Sequence, residues 1–277
     1  MNRRFSLDRA LSFLLLIPSA LFLFPILIVL INSFKGQFYI ADAPFTLPNA
    51  QTFAGFTNYI SGLQKTGFLQ AFGWSLLITV GSVGVIVLFT SMTAWYIVRL
   101  KSAWSTLLYY LFVTSMVVPF QMVMFTMSKI ANFLRLDNPI GIIVIYLGYG
   151  AGLSVFMFAG FVRSLPLEIE EAAMIDGCNP VRTFFGVVFP MLRPTAITVA
   201  ILNAMWIWND YLLPALVIGA KYRTIPIAVQ YLQGGYGSRD MGALMAMLVL
   251  AIVPIVVFYL SLQKYIIKGV LSGAVKG

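Results

Sequence analysis

The sequence predicts an all-α membrane protein that crosses the bilayer several times. Of its 277 residues, 60% are hydrophobic and only 10% are charged, and the mean hydropathy is +0.92. Soluble domains carry about 25% charged residues, so this chain has too few to cover a soluble core of its size. Long windows without charge also recur along the chain, and a bilayer core of about 30 Å needs roughly 20 apolar helical residues.

Six such windows predict spanning helices within one transmembrane domain, residues 1–277. We predict helices at residues 11–32, 70–97, 104–127, 139–161, 195–217 and 241–263. The fifth window differs from the others because it contains one charged residue, Asp210. The first follows Arg3, Arg4 and Arg9. It is longer than the 7–15 apolar residues of a signal peptide, so we expect a retained anchor.

The distribution of Lys and Arg predicts the orientation. With the amino terminus in the cytoplasm, six crossings return the carboxyl terminus there. Eleven of the 18 Lys and Arg residues then lie on the cytoplasmic side, as the positive-inside rule requires. The basic amino terminus and the tight Arg99-x-Lys101 turn contribute most to this bias. The net charge of +9 suits anionic lipid headgroups, and no basic stripe with interleaved aromatics indicates nucleic-acid binding.

Several kinds of chemistry are excluded by composition. The chain contains no His and a single Cys, Cys178, which excludes imidazole catalysis, an internal disulfide and a multi-thiolate metal site. It also lacks the G-x-x-x-x-G-K-[ST] pattern of a P-loop. Gly148, Gly150 and Gly152 lie within the fourth predicted span, where small residues allow helices to approach closely.

The segment 163–193, between the fourth and fifth predicted spans, concentrates acidic residues. It holds four of the chain's nine, including every glutamate: Glu168, Glu170, Glu171 and Asp176. Pro166 suits the first turn of a helix, and the glutamates follow where the helix dipole favours negative charge. Gly177 is a natural C-terminal stop.

A second short helix is predicted directly after this one. Asn179 and Pro180 suit the N-cap and first helical position, and the helix is expected over 181–189, ended by Pro190. Its apolar residues would let it lie on the membrane surface or in a partner's groove: Phe184, Phe185, Val188 and Phe189. The segment is therefore predicted to form a helix, a tight turn and a second helix.

The spacing within this segment resembles that of a known family. Glu171-Ala172-Ala173, three residues, Gly177, nine residues and Val187-Val188-Phe189-Pro190 resemble the EAA loop of binding-protein-dependent ABC importer permeases, E-A-A-x3-G-x9-I-x-L-P. Val187 and Phe189 depart mildly from that pattern. The string from Glu171 to Gly177 is similar to that of the carbohydrate branch, the maltose-type and multiple-sugar permeases.

Other parts of the chain agree with the same family along nearly its whole length. They are Asn58-Tyr59, the run from Ala94 to Arg99, Pro119-x-Gln121, Trp208-Asn209-Asp210 and the closing run from Gly273 to Gly277. Trp74-Ser75 departs from the Asn-Ser more usual in the family, which puts any polar role at that position in doubt.

The resemblance implies a permease subunit of an ATP-driven sugar importer in the bacterial cytoplasmic membrane, with both termini cytoplasmic. Its expected partners are a second permease, two copies of a cytoplasmic ATPase that bind ATP and Mg, and an extracytoplasmic sugar-binding protein. This chain would then catalyse no reaction and bind no cofactor. The expected cargo is a di- or oligosaccharide. The alternatives are an ABC permease for another solute such as glycerol phosphate, or a secondary transporter.

The same resemblance implies that segment 163–193 carries a coupling helix that docks into a cleft of the ATPase. The implied coupling residues are Glu171, Ala172, Ala173, Asp176, Gly177 and Pro190. Glu171 is expected to pair with the ATPase, the two alanines to allow close approach, and Gly177 to allow the turn. Asp176 either caps the turn or makes a second polar contact. The alternative is an ordinary amphipathic helix on lipid.

The candidates for the substrate path are fewer. They are Asp210, Asn209, Trp206 and Gln121. Because a charge within a span is costly, Asp210 is expected to face a cavity, a partner or the outer interface. The aromatic rings and amide beside it suit a sugar, but an interfacial aromatic belt around a capped helix end explains them as well. The outer loops 35–65 and 221–240 could meet a binding protein or be plain connectors.

Overall fold

The computed structural model describes residues 2–219, 221–233 and 239–274, and the secondary structure of this part of the chain is almost entirely helical. The α-helices are, in order, α1 Asn2–Asn32, α2 Gln37–Asp42, α3 Thr57–Thr66, α4 Phe68–Arg99, α5 Ala103–Ser115, α6 Phe120–Phe133, α7 Pro139–Val162, α8 Leu167–Ile175, α9 Pro180–Thr183, α10 Phe189–Met191, α11 Arg193–Asn209, α12 Leu212–Val217, α13 Ile225–Gln230 and α14 Met241–Ala274. A π-helical turn, Phe184–Val188, joins α9 to α10. Extended pairing within the described residues is limited to an isolated bridge between Lys35 and Phe53.

Four described helices are long and apolar enough to cross a membrane. They are Leu14–Asn32 within α1, α4, α7 and Met241–Ser261 within α14. The sequence predicted helices at these four places, and the structure confirms them. Two bent helix pairs would raise the number of spans to six if each pair is one span.

The prediction of one continuous helix over 104–127 is wrong. The chain instead forms α5 and α6, whose axes differ by 106°. Pro119 has an extended backbone conformation, with φ −63° and ψ 134°, at the N-cap of α6. Proline has no N–H to continue the hydrogen-bond ladder, and it disfavours helical geometry at the residue before it.

The prediction of one continuous helix over 195–217 is also wrong. Helix α11 ends at Asn209, and Asp210 is extended at φ −73° and ψ 121°. Asp210 Oδ1 accepts hydrogen bonds from the N–H groups of Leu212 at 3.0 Å and Leu213 at 3.3 Å. The aspartate therefore caps a new short helix, α12, in the manner of an N-cap residue.

Pro190 does not end the second loop helix as predicted. The chain widens into the π-helical turn, in which the Phe189 N–H bonds to the Phe184 carbonyl, and Pro190 lies inside α10. A π turn relieves the conflict between a proline ring and the preceding turn. The helical direction changes only after Met191, where the segment Pro180–Met191 meets α11 at 76°.

The chain divides into two compact units. One comprises Met1–Leu69 and Ala228–Pro254, and the other comprises Gln70–Ile227 and Ile255–Gly277. The second unit contains a core built around α7, with Ile86, Tyr146, Phe158, Phe184 and Leu192 among its buried side chains.

In the first unit, polar contacts fix the segment that follows α1. Lys35 is fully buried, and its Nζ donates to the Ala43 carbonyl at 2.7 Å and to Thr46 Oγ1 at 3.3 Å. Burial lowers the pKa of this lysine. Asn58 Nδ2 donates to the carbonyls of Ser33 and Lys35, both at 2.8 Å. These bonds hold the backbone beyond α1 against α3.

Candidate functional site

The acidic segment forms a short helix with well-defined ends. Pro166 is the N-cap of α8 rather than part of its first turn, and Glu168 and Glu170 follow in that turn. At the other end Gly177 has φ +88°. Its N–H bonds to the Met174 carbonyl and the Cys178 N–H bonds to the Ala173 carbonyl, each at 3.0 Å. This is the Schellman arrangement, and it confirms that Gly177 stops the helix.

The predicted start of the second helix is also confirmed. Asn179 Oδ1 accepts the Arg182 N–H at 2.9 Å, and Pro180 is the first helical residue. The end of α8 and the start of α9 are therefore close in the chain. Only the C-cap Asp176, Gly177, Cys178 and the N-cap Asn179 separate the two helices. The backbone conformation of this turn is therefore restricted, because local hydrogen bonds fix the end of α8 before it and the start of α9 after it.

The outer side of α8 combines carboxylates with apolar side chains. Glu171, Ala172, Met174, Ile175 and Asp176 are exposed, and Ile175 is 86% exposed. We call these five residues the loop surface. Among the other implied coupling residues, Gly177 and Pro190 are exposed and Ala173 is half-buried. An exposed apolar group of this kind, rimmed by acids, is typical of an interaction site.

Glu170 has the opposite environment, and nothing in the local sequence predicted it. Its side chain is 4% exposed and lies 2.7 Å from Arg99 Nη2. Arg99 Nε also donates to Glu170 Oε1 at 2.9 Å, and Trp95 Nε1 donates to Oε2 at 2.9 Å. Arg99 Nη2 further reaches the Leu165 carbonyl at 3.1 Å. The Arg99 and Trp95 positions, one turn apart at the end of α4, were the available sequence hint.

Aromatic contacts connect this cluster to the second loop helix. The rings of Trp95 and Phe184 lie 5.5 Å apart, and Phe184 contacts Phe189 at 5.7 Å. Phe184 and Val188 are buried, so these two of the four apolar residues pack inside the protein and are not available to a membrane surface or a partner's groove. Phe185 stays exposed at 46%.

Asp210 is committed to contacts within its own unit. Besides capping α12, it accepts the Tyr146 hydroxyl at Oδ2, 3.0 Å away. The rings of Tyr146 and Trp206 meet edge to face at 5.5 Å. Of the two interpretations left open for Asp210, these contacts favour the capped helix end.

The other substrate-path candidates have accessible side chains. Trp206 is 41% exposed, and Asn209 is exposed although its Nδ2 donates to the Met205 carbonyl at 2.7 Å. Gln121 is exposed in the first turn of α6. Trp206 and Asn209 share α11 with the Asp210 cap, whereas Gln121 belongs to a separate helix. In the described part of the chain, no group of three or more His, Cys, Asp and Glu side chains could hold a metal ion.

Comparisons with known proteins give a consistent result. Residues 86–272 match the family described as binding-protein-dependent transport system inner membrane component. The chain is 37% identical over 268 residues to the probable starch degradation products transport system permease protein AmyC of Thermoanaerobacterium thermosulfurigenes, covering 96% of each chain. It is 34% identical over 268 residues to the multiple sugar-binding transport system permease protein MsmG of Streptococcus mutans, covering 95% of each.

A solved structure shares the fold. It is a chain from the crystal structure of a bacterial ABC transporter involved in the import of the acidic polysaccharide alginate, with a TM-score of 0.77 and 20% sequence identity. The match covers 95% of this chain and 96% of that one.

Proposed function

The chain belongs to the family of binding-protein-dependent transport system inner membrane components, and from this premise we propose that it is the permease subunit of an ATP-driven importer of a di- or oligosaccharide. The observation that carries the proposal is the 37% identity to AmyC over 96% of both chains. The name of that relative refers to starch degradation products and the name of MsmG to multiple sugars. The absence of a P-loop from the sequence supports the part of this proposal in which a separate ATPase binds ATP and Mg.

The proposed architecture has six spans and two cytoplasmic termini. The bent pair of α5 and α6 counts as one span, and α11, the longer part of the second bent pair, forms the fifth span. Segment 163–193 then lies on the cytoplasmic side between the fourth and fifth spans. Support for this side comes from the Lys and Arg distribution. The proposed complex contains this chain, a second permease, two ATPase copies and an extracytoplasmic sugar-binding protein in the inner membrane.

The loop surface of α8 is the proposed docking element for the ATPase. The caps of α8 fix where the helix begins and ends. Ile175 and Met174 supply exposed apolar surface for contact. An exposed ion pair contributes only about 0–1 kcal/mol, so Glu171 sets the register of docking more than its strength. Ala172 and Ala173 permit close approach, Asp176 adds a polar contact, and Gly177 and Pro190 shape the turn and the following helix.

The proposed sugar path uses Trp206, Asn209 and Gln121, with Asp210 as a positioning residue. An exposed indole ring and exposed amides are groups that can stack on and hydrogen-bond to a sugar. Asp210 has its carboxylate oxygens occupied by Tyr146 and the start of α12, so it holds the end of α11 in place rather than contacting sugar.

Glu171→Lys tests the docking role. The reversed charge places a cation where a carboxylate is expected to meet a cation, and like-charge contacts at interfaces cost several kcal/mol. Co-purification of the ATPase and sugar uptake should therefore both fall by at least about tenfold, with normal membrane insertion. Asp137→Lys, the same charge change at an exposed position in the α6–α7 loop, is the matched control. Unchanged uptake by Glu171→Lys with a normally bound ATPase would refute the role.

The substrate class is tested with the purified complex and its binding protein in proteoliposomes. ATP hydrolysis is measured with maltotriose, raffinose, diacetylchitobiose and glycerol 3-phosphate. Stimulation by an oligosaccharide is expected. Stimulation by glycerol 3-phosphate alone would replace the sugar proposal with the alternative solute.

A further inference from the structure

The two neighbouring glutamates of α8 face different surroundings, and only one of them is available to a partner. Glu171 is exposed, whereas Glu170 is buried against the end of α4. Both carboxylate oxygens of Glu170 are occupied, Oε1 by the Arg99 guanidinium and Oε2 by the Trp95 N–H. Glu170 therefore has an internal role that differs from docking.

The contacts of Glu170 have a geometry that fixes orientation. Arg99 uses two nitrogens on one oxygen, at 2.9 Å and 2.7 Å, and the planar guanidinium restricts the direction of such contacts. Trp95 and Arg99 are four residues apart on α4, so both donors lie on the same helix face. Because two side chains on one face of α4 donate to the Glu170 carboxylate, α8 cannot tilt relative to α4 without breaking a buried ion pair.

The backbone alone would not restrain α8 in this way. The helix has nine residues and is bounded by the link after α7 on one side and the turn at Gly177 on the other. The Arg99 contact to the Leu165 carbonyl restrains the first link. The Trp95–Phe184 ring contact restrains the π-helical turn, which follows the turn at Gly177. The end of α4 thus contacts the link before α8, α8 itself and the π-helical turn.

We propose that Glu170, Arg99 and Trp95 form a joint through which α8 and the end of α4 move as one body during the ATPase cycle. The proposal rests on the proposed docking of α8 to an ATPase. A displacement of the loop surface then moves α4, a helix of 32 residues. The short links on either side of α8 do not bend in its place. Glu170 and Arg99 are positioning residues, since they act on the ATPase contact only through α8.

The test measures the distance between the start of α8 and the residue directly after α4 in the assembled importer. Spin labels are placed on Leu100→Cys and Leu167→Cys, both at exposed positions, in a Cys178→Ser background. Their separation is compared by dipolar EPR in the nucleotide-free complex and in the complex trapped with ADP and vanadate. Three forms are compared: the labelled parent, Glu170→Gln and Glu168→Gln, the last removing an exposed carboxylate from the same helix.

In the parent and in Glu168→Gln, trapping should leave the mean separation constant. In Glu170→Gln it should shift by more than about 1–2 Å, the size of helix displacements in switching proteins, although the ATPase still co-purifies. A shift in the parent overturns the single-body proposal, and a constant separation in Glu170→Gln overturns the assignment of the joint to this ion pair.

A second variant keeps the test decisive if Glu170→Gln does not assemble. Arg99→Lys retains the charge but loses the planar fork, so it should show the same shift on trapping, and a constant separation would overturn the proposal equally. Failure of the proposed function has a different signature, because the ATPase would then not co-purify with the labelled parent at all.

Discussion

At the scale of single residues, burial assigns different tasks to carboxylates that look equivalent in the sequence. Glu170 and Glu171 are adjacent, yet one is enclosed by Arg99 and Trp95 and the other faces outward. Removing one partner of a buried ion pair commonly costs about 3–5 kcal/mol because the other charge stays buried. An exposed ion pair is worth about 0–1 kcal/mol. The first carboxylate is therefore suited to holding a helix and the second to steering a partner.

Asp210 should affect stability more than substrate affinity. Asp210→Ala removes the cap of α12 and the acceptor of the buried Tyr146 hydroxyl, which together should cost about 2 kcal/mol in the free energy of unfolding. Asp210→Asn keeps an oxygen for the cap and should cost less than about 1 kcal/mol. Thermal unfolding of the purified protein measures both. A normal melting temperature for Asp210→Ala together with a large rise in the KM for sugar would contradict this role.

Asp240 should make the first unit sensitive to acid. Burial alone would raise the pKa of Asp240, but hydrogen bonds from Lys65 and the Ala243 N–H, with the Lys65 charge, hold that pKa below its ordinary value of 3.8. A carboxyl with a lowered folded-state pKa contributes stability that is fully present above the unfolded value and is lost as the pH falls through the folded value.

The melting temperature of the parent should therefore drop below pH 3.8 more steeply than that of Asp240→Asn, which cannot titrate. The difference should be small, because the Lys65 side chain is 54% exposed and such pairs are screened by solvent. Identical pH profiles for the two proteins would show that this ion pair does not contribute.

At the scale of helices, small residues decide where α7 packs closely. A Cβ added at Gly152 would lie 2.8 Å from the Phe112 carbonyl oxygen and 2.7 Å from Ser115 Oγ on α5, whereas one at Gly160 would meet no atom within 4 Å. The prediction that this glycine-rich run allows close approach is thus supported at Gly152, while Gly148 in the same run has open space beside it.

Gly152→Ala should destabilise the protein by about 1–3 kcal/mol, because overpacking forces a backbone shift. Gly160→Ala on the same helix is the matched control and should be neutral or stabilising by up to about 1 kcal/mol, since alanine is the better helix former. Thermal unfolding of the two variants in parallel distinguishes them. Equal melting temperatures would mean that α5 and α7 are not in close contact at Gly152.

Prolines show how an element depends on more than its own sequence. Pro18 and Pro25 lie inside the continuous helix α1, and Pro254 lies inside α14. Pro119 instead marks a bend of 106°, and Pro190 is absorbed by a π-helical turn. Because each proline removes the same N–H, its surroundings decide whether the helix continues, widens or breaks.

At the scale of the whole molecule, the described surface is unusually apolar. None of residues 14–31 in α1 is buried within this chain, and only 28% of the apolar window in α4 is buried. Such surfaces are stable in lipid or against other membrane helices, where no water is present to penalise them. This fits a subunit of a membrane complex whose energy source, by the proposed function, lies in another chain.

The sequence by itself determined the class of protein, four helices long and apolar enough to cross a membrane, the end of the acidic helix at Gly177 and the start of the next helix at Asn179. These follow from composition and from local hydrogen bonds, such as those at Gly177 and Asn179, that involve residues only a few positions apart. The family resemblance, likewise carried by local spacing, is confirmed by the match over residues 86–272.

Only the tertiary structure decided where the predicted third and fifth spans break and which glutamate is enclosed. Glu170 and Arg99 are 71 residues apart in the chain, and Asp210 and Tyr146 are 64 apart. The stability of a buried carboxylate or a broken helix depends on the donors that other elements bring to it. Local sequence cannot specify those donors, because folding alone brings distant residues to one place.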